Sequence, residues 1–116
     1  MVKNEVCVFN IIADDYIPQQ QLFSKNFKKS HPDIDIYCIT LENTKFNSKL
    51  FKSIPINKIN TIKNLELLKF KYNVLELSTA VKPSIFTYLF NKYGYKKILY
   101  FDSDVIVYKP IIKIIK

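Results

Sequence analysis

Two aspartates one residue apart, Asp102 and Asp104, interrupt the apolar segment ILYFDSDVIVY at residues 98–108. At i and i+2 on an extended backbone, both carboxylates project from the same side. Two such charges about 4–5 Å apart repel by roughly 3–4 kcal/mol at an effective dielectric near 20. A divalent cation between them reverses that sign. An all-oxygen pair suits Mg2+ or Mn2+, which take one or two carboxylates and fill their shells with water and substrate phosphates. A solvated turn holding two acids fits the same tripeptide.

Other reactive side chains are sparse. His31 is the sole histidine, and in Ser30-His31-Pro32 it reads as a surface turn residue. Cys7 and Cys38 each sit in an apolar run without Cys-x-x-Cys spacing, so they are expected to be buried, reduced thiols of a cytoplasmic protein. The net charge of +8 comes from lysine alone, because the chain has no arginine. Without a guanidinium fork, a nucleic-acid partner is not expected. The spread lysines fit either a solvated surface or an anionic partner such as a diphosphate or a membrane to which the chain binds peripherally.

The elements that must position these groups follow from periodicity. EVCVFNII at residues 5–12 is a nearly continuous β-branched and apolar run, the pattern of a strand buried on both faces. Pro18 suits a first helical turn, Leu22, Phe23 and Phe27 recur at helical spacing, and Lys28 and Lys29 suit a last turn. IDIYCITL at residues 34–41 completes a β-α-β unit, for which a right-handed crossover makes the strands parallel. Residues 42–60 read as loop with one short strand around Ile54. From Ile62, the apolar positions Leu65, Leu68, Tyr72 and Leu75 predict a helix running toward Ser78 and Thr79. Pro83 is expected to open a separate helix, with Ile85, Phe86, Leu89, Phe90 and Tyr93 as its stripe and Gly94 as its stop. Residues 97–101 form the strand that delivers Asp102, and residues 105–108 stay extended. At 116 residues the chain has room for one domain, residues 1–116, of the α/β class: a Rossmann-like, mostly parallel sheet with flanking helices. The closing cluster Ile111, Ile112, Ile114 and Ile115 lacks downstream partners, which implies truncation at the C-terminus and a surface for self-association.

Three segments in this order resemble the nucleotide-sugar glycosyltransferases of the GT-A fold, particularly glycosyltransferase family eight and its bacterial relatives. They are IIADDY (residues 11–16) leading through a helix to SHPDIDIYCITLE (30–42), ELSTAVKPSIFTYLF (76–90), and KKILYFDSDVIVYKP (96–110). The resemblance covers the N-terminal, donor-binding half of such a domain. It implies that Ala13 and Asp14 meet the base and ribose, Tyr16 stacks on the base, and Lys82 contacts the diphosphate. It further implies that Asp102 and Ser103 lie near the ribose, and that Asp102 and Asp104 hold Mn2+ or Mg2+. Lys82, just before the expected Pro83 helix, would share the anion with free backbone N–H groups there. The partners implied are a UDP-sugar donor and a glycan, lipid or protein acceptor.

Two other readings stand beside it. FDSDVIV also fits the Asp-x-Asp-x-Val motif of haloacid-dehalogenase-type phosphohydrolases, with Asp102 as nucleophile and Asp104 as acid/base, although that family carries the motif on its first strand. A non-catalytic, truncated module that pairs through its C-terminal isoleucines is the other.

Overall fold

The computed structural model describes residues 5–42 and 44–101, without the side chains of residues 74 and 75. Strand β1 is Val6–Ile12, β2 is Asp35–Thr40, β3 is Lys52–Pro55 and β4 is Lys97–Tyr100. Helix α1 is Ile17–Ser30, α2 is Leu65–Lys71 and α3 is Val74–Tyr93. The four strands make one parallel sheet in the order β3-β2-β1-β4. This is the α/β, Rossmann-like architecture expected from the alternating patterns.

Alternation along the strands decides what covers each face. Val8 and Ile12 of β1, with Ile36 and Cys38 of β2, pack against Phe23 and Phe27 of α1. Cys7, Phe9 and Ile11, with Tyr37 and Ile39, pack against Val81, Ile85 and Leu89 of α3. The sheet is therefore a middle layer, and β1, flanked by β2 and β4, is buried from Cys7 to Ile12. Both cysteines are free and fully buried, as expected, and burial pushes each thiol up to about 12. Among the described residues, no helix is long and apolar enough to cross a membrane.

Several expectations need correction. The single helix expected over residues 62–79 starts only at Leu65 and is two helices, because Tyr72 turns extended and Asn73 restarts the chain with a capping box. Its side chain accepts from the Glu76 N–H at 2.8 Å, and Glu76 accepts from the Asn73 N–H at 3.1 Å. The second of them runs straight through Pro83, which is thus interior and does not open a helix. Gly94 ends α3 at φ 72°, a left-handed conformation that favours glycine. Leu22 is half exposed, and the buried stripe of α1 is instead Gln20, Phe23, Ser24 and Phe27. His31 does lie in the turn after α1, but it is buried, with its ring 4.8 Å from that of Phe27. Burial holds its imidazole below the usual range. The extended residues 105–108 and the terminal isoleucines lie outside the described residues.

Candidate functional site

The strand order creates a crevice. From β1 the chain crosses through α1 on one face to β2, while the other neighbour of β1, β4, is reached through α3 on the opposite face. Where such connections diverge, the carboxyl ends of the two strands leave open the place where doubly wound sheets bind ligands. Here those ends are Ile12 of β1 and Tyr100 of β4, and the Phe101 N–H still donates to the Phe9 carbonyl at 3.1 Å.

The β1 side carries three of the expected residues. Ala13 leads into a short 3-10 turn, Asp14–Tyr16, closed by the Tyr16 N–H donating to the Ala13 carbonyl at 3.0 Å. The loop after β2 fixes Asp14 from two directions. Its backbone N–H donates to Glu42 Oε1, and Thr44 Oγ1 donates to Asp14 Oδ2. Thr40 Oγ1 in turn holds the Thr44 carbonyl at 2.6 Å. The second carboxylate oxygen, Asp14 Oδ1, is buried and has no hydrogen-bond partner among the described residues. A buried acceptor left unpaired costs about 1–3 kcal/mol. Tyr16, in the turn that follows β1, is half exposed.

On the β4 side, the structure places Lys82 differently from expectation. Because α3 is continuous through Pro83, Lys82 is mid-helix, and no free N–H groups of a helix start surround it. Its ammonium instead lies 4.1 Å from the centroid of the Tyr100 ring, at the carboxyl end of β4. The lysine thus reaches the β4 end of the crevice by a cation-π contact. Asp102, Ser103 and Asp104 begin one residue past Phe101 and lie outside the described residues. Among the described residues, no group of three or more His, Cys, Asp or Glu side chains is arranged to hold a metal ion.

Beneath the crevice lies a polar network that sequence reasoning missed. Asn10, fully buried in β1, donates from Nδ2 to the Phe101 carbonyl at 2.6 Å. Its Oδ1 accepts from Gln20 Nε2 at 3.0 Å, and the same Gln20 nitrogen lies 3.2 Å from Ser24 Oγ on α1. β1, α1 and the exit of β4 are thereby joined by two amides. The signal was visible: Asn10 is the one polar residue inside VCVFNII, and Gln20 and Ser24 share the stripe of Phe23 and Phe27. An open depression of about 410 Å3 lies elsewhere, lined by Lys58, Asn60, Thr61, Tyr88, Asn91 and Lys92, and includes none of the crevice residues.

Comparison of the chain with family models, curated proteins and solved structures gives no match.

Proposed function

We propose that the chain is the donor-binding half of a GT-A-type glycosyltransferase. In this reading it binds a UDP-sugar in the crevice between β1 and β4, together with Mn2+ or Mg2+, for transfer to a glycan, lipid or protein acceptor. The observation that carries the reading is the buried Asp14 Oδ1, which has no hydrogen-bond partner among the described residues, at the switch point of the sheet. That oxygen calls for an N–H or O–H donor, which a nucleobase or a ribose hydroxyl supplies. Tyr16 stacks on the base, and Lys82 offers a positive charge to the diphosphate. The chain reaches Asp102, Ser103 and Asp104 directly from the strand beside β1.

The metal fits the donor chemistry available. Asp102 and Asp104 supply hard carboxylate oxygens, and they follow the end of β4, where Lys82 supplies further positive charge. When bound there, the metal would act as a Lewis acid that neutralises charge developing on the leaving nucleoside diphosphate. Asp14 and Tyr16 orient the nucleoside so that the glycosyl carbon faces its acceptor. The phosphohydrolase alternative is weakened by topology, because the first and central strand ends at Ala13-Asp14 while the Asp-x-Asp follows β4.

Titration calorimetry with UDP, with and without Mn2+, tests the proposal. Mn2+ is expected to tighten binding, and Asp104→Ala to remove at least about tenfold of that gain, or roughly 1.4 kcal/mol. Asp14→Asn, which offers a donor where an acceptor is required, is expected to weaken uridine binding without metal by about tenfold or more. Metal-independent UDP binding that Asp104→Ala leaves untouched would count against the reading.

A further inference from the structure

Helix α2 carries more apolar surface than the core takes up. Leu65 and Leu68 pack against the α3 side of the core, while Leu67 and Phe70, three residues apart on another face, are 60% and 91% exposed. An almost fully exposed phenylalanine next to an exposed leucine is an apolar feature that water does not favour. The charges around it have one sign in excess: Lys63, Lys69 and Lys71 against Glu66, on a chain of net charge +8. A second copy docking through this face would set lysines against lysines, which opposes self-pairing. Two side chains this exposed on a seven-residue helix suit a deformable layer that closes around them. Apolar side chains entering the acyl boundary, with lysine stems beside them and ammonium heads at the phosphates, make up an interfacial helix on anionic lipid.

We propose that α2 docks this chain on an anionic lipid surface, with Leu67 and Phe70 inserted and Lys63, Lys69 and Lys71 against the headgroups. The placement has a direction. α3 ends beside the amino end of β4, so it starts at the carboxyl edge of the sheet, and α2, which immediately precedes it, ends toward that edge. The proposal stands whether or not the crevice binds a nucleotide.

Vesicle sedimentation with the full chain tests it, comparing phosphatidylcholine alone with phosphatidylcholine containing about 30% phosphatidylglycerol. Binding is expected on the anionic vesicles only, weakening as salt is raised. The double variant Leu67→Ser, Phe70→Ser is expected to lower the partition coefficient about tenfold or more with an unchanged circular dichroism spectrum. Lys63→Gln with Lys71→Gln is expected to abolish the preference for anionic over neutral vesicles. Absence of binding to anionic vesicles, or equal partition of wild type and the serine double variant, overturns the proposal. It is also overturned if wild type sediments as a dimer without lipid and the serine variant as a monomer, since the face then pairs copies.

Discussion

Asn10 carries a structural role out of proportion to its size. Its amide spans from the centre of the sheet to the last backbone carbonyl before the acidic tripeptide, and Gln20 satisfies its other end. Replacing it with leucine would leave the Phe101 carbonyl without its side-chain donor and the Gln20 amide with Ser24 Oγ alone. Asn10→Leu is therefore expected to cost about 2–3 kcal/mol, read as a lower urea midpoint at unchanged slope. The oddity of an asparagine inside an apolar strand is legible in the sequence. Its meaning is not, because its partner sits 91 residues away and is brought near only by the pairing of β1 with β4. Asp14 shows the complementary limit. Its place at the end of a buried strand could be read from the pattern, but the grip of Glu42 and Thr44 depends on how the loop after β2 folds back, which no local periodicity encodes.

α3 shows two local rules in competition. Proline favours the first turn of a helix, which places a helix start at Pro83. The stretch Asn73-Val74-Leu75-Glu76 is also a start signal, of the capping-box kind, and it prevailed. Core packing explains the outcome: Leu77 and Val81 before the proline and Ile85 and Leu89 after it all bury against the same sheet face, so a continuous helix retains every contact. Pro83 itself is exposed and fills no cavity. Pro83→Ala should then restore a helical N–H without opening a void, raising stability by about 1–2 kcal/mol after allowing for the freer unfolded chain. Chemical denaturation would register this, and a loss of stability would mean that the proline bend is built into the packing. The long strands, α1 and the glycine stop at Gly94 were legible because each has a strong period or a residue with a unique backbone role. The α2–α3 break was not, since apolar spacing continues across Tyr72 in both readings.

For the molecule taken as a single cooperative unit, the lone histidine gives a clean handle on pH. Burial holds the His31 imidazole below its ordinary value of 6.5. As pH falls below 6.5 the unfolded chain therefore takes up a proton that the folded chain refuses, and stability falls until the folded pKa is reached. Above 6.5 both states are neutral at this site and the dependence disappears. The slope in that window is bounded by about 1.4 kcal/mol per pH unit for one proton. His31→Phe, which keeps a ring against Phe27, should flatten it, as urea midpoints at about pH 5.5 and 7.5 would show.

The position of β4 beside β1 also has a consequence in time. Lys97–Tyr100 must pair with Val6–Phe9, so the central strand of the sheet waits for a neighbour made about 91 residues later. At roughly 5–20 residues per second of synthesis, that interval is about 5–20 s. During it the β1-α1-β2 unit can close on one face, while Cys7, Phe9 and Ile11 on the other still lack α3. Parallel pairing over such a separation folds slowly, and the growing chain therefore presents a sticky half-sheet to chaperones until α3 and β4 emerge.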